Sequence, residues 1–246
     1  MEQERKVERI ILMAAGFGSR MSQVTAHIPK PLVRVNGTRL IDTVLDAALA
    51  AGIEDIVVVR GYMADAFDEL LADYPMVRFV DNKLYDQANN ISSVLAVADL
   101  LGNAYVAEAD LLLSNPALIA PTQSVSNYLG VPCAHTDDWA FRTSNENGRR
   151  LIEEVLPDGG DDLCHMYGIS YWTPEDAALL ANELHEAFDA PGGHDLYFEQ
   201  VPLERYARNH KVYVRECTFD DICEIDTFDE LCELDPSWQS YAKEEA

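Results

Sequence analysis

The architecture of this chain follows from one segment near its start, Ile10–Arg20, which reads IILMAAGFGSR. The segment opens with a run of apolar residues, a pattern typical of a strand buried on both faces of a parallel sheet. Two glycines follow, Gly16 and Gly18, and glycines at the end of a strand let backbone N–H groups close around phosphate oxygens. The segment therefore predicts a buried strand that leads into an anion-binding loop.

The residues after this loop alternate between strand and helix patterns as far as Asp110. Gly52, for example, follows a helical pattern at the place where a helix end favours a left-handed residue. This alternation predicts an α/β fold with a mostly parallel, Rossmann-like sheet in three layers. The predicted strands are Leu32–Val35, Ile56–Val59, Val77–Val80 and Tyr105–Ala109, and the predicted helices are Leu40–Leu49, Ala64–Leu71 and Ile91–Leu101.

Beyond Asp110 the pattern changes to short strands separated by polar turns such as Asn145–Gly148. We expect a smaller, mixed-strand portion here, continuous with the first half, because no linker or low-complexity tract intervenes. The prediction is one domain over residues 1–246, with halves at about 8–110 and 111–234. The short strands are predicted at Val131–His135, Ala140–Arg142, Leu151–Val155, Met166–Trp172 and Val212–Val214, with a helix after Thr173.

The composition excludes several classes of protein. The formal net charge is −25, and a nucleic-acid binder needs a basic face that this chain lacks. There is no charged-then-apolar leader and no run of about 18 apolar residues, so we expect a cytoplasmic protein without a membrane partner. Five cysteines without a C-x-x-C pair suggest reduced thiols, and we interpret the six histidines, which lack metal-ligand spacing, mostly as surface residues.

Two cations stand out against this negative background, Arg20 in the glycine segment and Lys30 in the sequence Pro29-Lys30-Pro31-Leu32. No G-K-[ST] follows the glycines, and the third glycine of a dinucleotide fingerprint is missing. The pattern is thus neither a Walker loop nor a dinucleotide motif. The alternative to a phosphate site is a glycine turn with two surface cations.

These motifs resemble those of the nucleotidyltransferases, which join a nucleoside triphosphate to a sugar phosphate or an alcohol phosphate. Within that superfamily the likeness is closest to the bacterial choline-phosphate cytidylyltransferases, and it extends from about residue 8 to residue 234. The residues that carry it are AAGxGxR and PKPL at the start, then Asn89-Asn90, Ser92-Ser93, Glu108–Asp110, Asp138-Trp139, Gly168–Trp172, Asp195–Tyr197 and Glu224–Asp226.

The resemblance implies a Mg²⁺ site at Asp110 and Asp226. Each residue follows a predicted strand, and paired carboxylates beside a triphosphate suit an ion that takes oxygen ligands. The alternatives are that Asp226 caps the last helix and that Asp110 is a turn residue. Glu108 is either a neighbour of the metal site or a solvent-facing side chain.

The resemblance also implies roles for the residues around the nucleotide. Ala15, Gly16 and Gly18 would bind its phosphates, Arg20 would hold the departing phosphates, and Lys30 would lie near the attacked α-phosphate or the incoming phosphate. Asn90 and Ser93 are the candidates for contact with the base, and their alternative is ordinary helix capping.

The acceptor is predicted from aromatic residues beside acids in the second half, because a quaternary ammonium is recognised by π faces and carboxylates. Trp139 and Tyr197 are the expected walls of the pocket, with Asp195 as a charge partner; the alternative is that the aromatics belong to the core. The predicted reaction joins CTP and phosphocholine into CDP-choline and pyrophosphate. Two alternatives to this reaction stay open: another acceptor, such as phosphoethanolamine, an aminophosphonate or a sugar 1-phosphate with UTP or dTTP; and a non-catalytic nucleotide-binding domain. The sequence does not give the oligomeric state, and a homo-oligomer stays open.

Overall fold

The computed structural model describes residues 3–241, so the outer ends of the predicted domain, residues 1–2 and 242–246, lie outside it. A nine-stranded mixed sheet with helices on both faces dominates, and the predicted α/β class is confirmed. In chain order the strands are β1 (Arg5–Lys6), β2 (Arg9–Ala14), β3 (Arg34–Val35), β4 (Thr38–Arg39), β5 (Asp55–Arg60), β6 (Arg78–Asp81), β7 (Ala104–Glu108), β8 (Leu111–Leu113), β9 (Thr122–Gln123), β10 (Asn127–Thr136), β11 (Ala140–Glu146), β12 (Arg149–Leu156), β13 (Gly160–Trp172), β14 (Tyr213–Glu216) and β15 (Ile222–Glu224). The α-helices are α1 (Ser22–Thr25), α2 (Leu40–Ala50), α3 (Ile91–Leu95), α4 (Pro174–Asp189) and α5 (Phe228–Leu234).

The large sheet has the order β10-β14-β12-β11-β13-β7-β2-β5-β6. Its first-half strands β7, β2, β5 and β6 pair in parallel. Strand β13 pairs antiparallel with β7 and joins the second half to the same sheet. The division into a nucleotide half and an acceptor half stays a prediction.

The central strands are buried on both faces, as their apolar patterns predicted. In β2, for example, Ile10 and Leu12 pack into the core cluster shared with α2, whereas Ile11 packs into the cluster shared with α3 and α4. Helices on both sides of a parallel sheet give the predicted three layers. No helix of the described residues is long and apolar enough to span a bilayer.

Two predicted helices differ from expectation. The one predicted from Ala64 is a nine-residue 3-10 helix, Ala64–Ala72, that begins after Met63 in a left-handed conformation. The one predicted over Ile91–Leu101 is interrupted at Val97, whose φ is −128°, and resumes as a short 3-10 helix, Ala98–Leu100. Val94, Val97, Ala98 and Leu101 still pack into one core cluster, as their i, i+3, i+4, i+7 spacing predicts for a single apolar stripe.

A small two-stranded sheet that the sequence did not predict decides where the acids meet. Strand β8 begins directly after Asp110 and pairs antiparallel with β15, so that Leu111 lies opposite Glu224. Asp226 follows β15 by two residues. This ladder therefore brings the two predicted metal ligands, 116 residues apart, to one edge of the main sheet.

One histidine is an exception to the expectation that the six are mostly surface residues. His210 is buried, and its Nε2 lies 2.5 Å from Glu183 Oε2 of α4. Its Nδ1 lies 3.9 Å from Asp176 Oδ1 of the same helix. The ring links α4 to the segment before β14, a contact between distant parts of the chain that spacing alone does not reveal.

Candidate active site

A cavity of about 450 Å³ opens at the carboxyl ends of the parallel strands, where open α/β sheets bind their ligands. Ten of the twelve predicted site residues line it. Trp139 and Asp195 do not line it; Asp195 instead lines a shallower cavity beside it. The ten are Ala15, Gly16, Gly18, Arg20, Lys30, Asn90, Ser93, Asp110, Tyr197 and Asp226.

The glycine loop requires glycine at one of its two positions. Gly18 has φ +61°, and a Cβ there would lie 2.9 Å from Thr25 Cγ2 and 3.1 Å from the Cβ of Lys30. Thr25 Oγ1 also donates a hydrogen bond to the Gly18 carbonyl at 2.9 Å. The loop is thus packed tightly against the segment that carries Lys30, which fixes that lysine beside the loop.

Lys30 lies between the two predicted metal ligands. Its Nζ is 2.7 Å from Asp110 Oδ2 and 2.7 Å from Asp226 Oδ1. Burial acts to lower the pKa of Lys30, but the two carboxylates outweigh it and the pKa is raised. Arg20 Nη1 lies 2.6 Å from Asp226 Oδ2, so both predicted cations contact the same acid.

The alternative role of Asp226, capping the last helix, is not observed. Thr227 is the N-cap of α5, and it forms a capping box with Glu230. The backbone N–H of Asp226 donates to Glu230 Oε2 at 2.8 Å. Its side chain is therefore free of the helix and faces Lys30 and Arg20.

Further carboxylates surround this pair. Oxygen atoms of Glu108, Asp110 and Glu224 lie within 4.8 Å of one another. Burial, together with the charges of Asp110 and Asp226, raises the pKa of Glu224 to about 8. Burial, then the charges of Glu224 and Asp110, also raises the pKa of Glu108.

The donor set fits a hard divalent cation. Every side chain in this group offers carboxylate oxygen, which Mg²⁺ prefers. Glu108 is partly exposed and lines the cavity, and a Cβ on Gly168 of β13 would lie only 2.0 Å from its Oε2. The Glu108 carboxylate therefore occupies space that any larger side chain at Gly168 would fill.

The base candidates lie where β6 meets α3. Asn90 Oδ1 accepts a hydrogen bond from the backbone N–H of Phe198 at 2.7 Å, so this carboxamide anchors the segment that follows Tyr197. Ser93 is buried, and its Oγ accepts from Asn82 Nδ2 at 3.1 Å. Asn90 is not held by an N-cap bond of its own side chain. Both residues face the cavity.

Of the predicted acceptor residues, only Tyr197 lines the cavity, and Trp139 contacts it from the side of the core. The rings of Trp139 and Tyr197 meet edge to face with centroids 5.0 Å apart, and Trp139 also packs on the core. Glu199, two residues after Tyr197, is only 2% exposed. Burial raises its pKa to about 7, and its charge in turn acts on Glu108 and on the buried hydroxyl of Tyr128.

Comparison with known proteins places this site in a family. A model of the MobA-like NTP transferase domain matches residues 10–156, which span the glycine loop, Lys30 and Asp110. The chain belongs to this nucleotidyltransferase family. The resemblance inferred from the glycine and PKPL motifs is confirmed.

Several relatives of this nucleotidyltransferase match over nearly the whole chain. It is 36% identical to the 2-aminoethylphosphonate cytidylyltransferase of Lancefieldella rimae, over 88% of this chain and 87% of the relative. It is 29% identical to the choline-phosphate cytidylyltransferase of Haemophilus influenzae, over 88% and 91%. The solved structure of the CTP:phosphocholine cytidylyltransferase from Streptococcus pneumoniae superposes with a TM-score of 0.84 at 29% identity, covering 95% of this chain and 99% of that one.

Sequence reasoning about this nucleotidyltransferase did not single out Asn82, which lines the cavity, or Glu199, whose charge acts on Glu108. Both are polar residues at buried positions, at 4% and 2% exposure. Glu199 stands inside the otherwise mostly apolar run Leu196–Val201, and an acid in such a run was the available signal, because acids are rarely buried without a reason. Asn82 directly follows a strand and lies at the sheet edge where the other predicted site residues lie. A polar residue at that place is a candidate for ligand contact, and this position could have identified it from the sequence.

Proposed function

We propose that this chain transfers a cytidylyl group from CTP to a small phosphonate or phosphate that carries an ammonium group, with 2-aminoethylphosphonate as the favoured acceptor. The observation that carries the proposal is the meeting of Asp110 and Asp226 at the Nζ of Lys30 inside a cavity walled by the glycine loop. Such an arrangement suits a triphosphate and a divalent cation. The likeness to cytidylyltransferases supports the choice of nucleotide.

In the reaction an oxygen of the acceptor's phosphonate attacks the α-phosphorus of CTP. The bond from that phosphorus to the oxygen bridging to the β-phosphate breaks, and pyrophosphate leaves with the bonding electrons. Phosphonates and phosphate monoesters are ionised near neutral pH, so no side chain has to remove a proton. Positioning and charge neutralisation are therefore what the protein contributes.

The residues of the cavity match those tasks. Backbone N–H groups of the segment Ala15–Gly18 would contact the phosphates, and Arg20 would hold the departing pair. Lys30 would release its two carboxylates and turn to the α-phosphate. A Mg²⁺ ion held by Asp110 and Asp226 would neutralise charge on the triphosphate and polarise the α-phosphate.

The acceptor's cationic end would lie against the ring of Tyr197, which lines the cavity and contacts Trp139, on the side of the buried Glu199. Glu199 is an acid without a basic neighbour among those that shift its pKa, and Glu108 carries the repulsion of three acids. A primary ammonium donates hydrogen bonds to carboxylates and would offset this charge. We place the amine of 2-aminoethylphosphonate here on that argument.

Phosphocholine, the acceptor first predicted, remains the second candidate. The specific observation in its favour is the Trp139–Tyr197 pair, since aromatic faces bind a trimethylammonium group. Only the acceptor differs between the two candidates, and the transfer chemistry is shared.

The test is pyrophosphate release measured with CTP, UTP and dTTP against a panel of acceptors with Mg²⁺. The panel contains 2-aminoethylphosphonate, phosphoethanolamine, phosphocholine and glucose 1-phosphate. We expect CTP with 2-aminoethylphosphonate to give the highest kcat/KM. Activity with glucose 1-phosphate and none with any ammonium acceptor would overturn the proposal, and CTP binding without turnover on any acceptor would favour a non-catalytic domain.

A further inference from the structure

Asn82 lies in the wall of the cavity, directly after β6 and beneath the start of α3. It is almost fully buried, and its backbone N–H donates to the Arg60 carbonyl at 2.8 Å. We propose that Asn82 is a positioning residue that orients the Ser93 hydroxyl so that the site selects cytosine over uracil. This inference rests on the proposed cytidylyl transfer and names the group that chooses its nucleotide.

The backbone N–H of Leu84 fixes which way the Asn82 carboxamide points, because this group can donate a hydrogen bond but cannot accept one. The backbone N–H of Leu84 lies 2.9 Å from Asn82 Oδ1, and a backbone N–H is only a donor. The oxygen must therefore face Leu84. The Nδ2 group faces the other way and donates to Ser92 Oγ at 2.9 Å and to Ser93 Oγ at 3.1 Å.

The two serines then differ in what remains for a ligand. Ser92 donates its own proton to the carbonyl of Asn89 at 2.8 Å, so its donor is used within the protein. Ser93 accepts from Asn82, and no residue among 3–241 accepts the proton of its hydroxyl. Because Ser93 lines the cavity, that proton is available to a bound base.

This available proton distinguishes the two pyrimidines. N3 of cytosine is a bare acceptor, whereas N3 of uracil carries a hydrogen. When cytosine is bound, the Ser93 hydroxyl can donate its proton to N3 of the base. Opposite uracil, the hydroxyl must turn its proton away into a buried place without an acceptor, and an unpaired buried donor is costly.

The substitution Asn82→Asp tests this polarity. The new carboxylate would still accept from the Leu84 N–H, but its second oxygen would accept the Ser93 proton instead of donating to Ser93. Only lone pairs of Ser93 would then face the cavity, which suits the N3–H of uracil. We expect the CTP-to-UTP ratio of kcat/KM to fall by about tenfold to a hundredfold, and the ratio of CMP to UMP affinity in calorimetry to fall with it. CTP and UTP carry equal charge, so added repulsion cancels from both ratios.

Two further variants separate this role from a structural one. Ser92→Ala should leave both ratios unchanged, because the Ser92 proton is used by Asn89. Ser93→Ala should remove most of the preference, and it supplies the test if Asn82→Asp fails to fold. An unchanged CTP-to-UTP ratio in folded Asn82→Asp, or an unchanged ratio in Ser93→Ala, would overturn the inference. A wild-type protein that binds CTP no better than UTP would instead overturn the proposed choice of nucleotide.

Discussion

Asp110 lies at the centre of the site, between the cavity, Lys30 and the acids Glu108 and Glu224. Its carboxylate is one of the two predicted ligands of the divalent cation. The structure also explains why its partner Asp226 is available, since Thr227 takes over the helix cap.

We expect Asp110→Asn to lower kcat by about a thousandfold or more, because the amide cannot replace the charge that holds the cation. The measurement is pyrophosphate release with CTP and 2-aminoethylphosphonate. Asp99→Asn, the same change at an exposed acid, is the control and should retain activity. A rate within a few-fold of wild type would show that Asp110 does not hold the ion.

Glu199 yields a prediction about the acceptor. In Glu199→Gln the buried charge is lost while the shape is kept, so the KM for 2-aminoethylphosphonate should rise about tenfold and the KM for CTP should change little. The matched control is Glu204→Gln, an exposed acid five residues along the chain. Equal increases in both KM values would assign Glu199 to the fold rather than to the acceptor.

At the scale of elements, the sequence predicted the central strands well and their partners poorly. The strands β2, β5 and β7 are apolar runs buried on both faces, and such runs are visible locally. Strand β15 is three residues long and pairs with β8 about 110 residues earlier, and no local pattern indicates a pairing of that separation. The glycine loop was also predictable, because its motif is contained in consecutive residues. The proposed role of Glu199 was not, because it depends on the interaction of this residue with Glu108, 91 positions away in the chain.

The contact of His210 with α4 gives a prediction for stability. Burial acts to lower the pKa of His210, but the nearby carboxylate of Asp176 and the hydrogen bond with Glu183 outweigh it and raise the pKa. A raised folded-state pKa means that the stabilisation is fully present below the unfolded-state value of about 6.5 and is lost as pH rises through the folded-state value.

We therefore expect His210→Gln to lower the free energy of unfolding by about 2 kcal/mol at pH 6 and by less at pH 9. Urea unfolding followed by circular dichroism at both pH values measures the difference. His185→Gln, at an exposed position of α4, should have little effect at either pH. A loss that is the same at pH 6 and pH 9 would contradict the charged state assigned to His210.

At the scale of the whole molecule, the net charge of −25 acts on every step. It attracts Mg²⁺ and repels CTP, so the proposed nucleotide site depends on the local contacts of Arg20, Lys30 and the glycine loop. Mutual repulsion of the acids also weakens the folded state, and salt screens that repulsion.

We expect the Tm at pH 7.5 to rise by about 5 °C between 10 mM and 300 mM NaCl, because screening relieves the repulsion. The control repeats the measurement with KCl in place of NaCl. Screening should give the same rise in Tm with both salts, whereas specific binding of one cation should not. A Tm that does not respond to salt would mean that the surface acids are already neutralised by their partners.

The joint hold of Asp110 and Asp226 on one cation is tested most directly by a crystal structure with Mn²⁺ and a non-transferable CTP analogue. Anomalous scattering locates the ion without reference to the surrounding density. We predict an ion bonded to carboxylate oxygens of both aspartates and to the α-phosphate, with Lys30 Nζ moved away from the two acids. An ion held only by Glu108, Asp110 and Glu224, with Asp226 still paired to Lys30, would contradict the account.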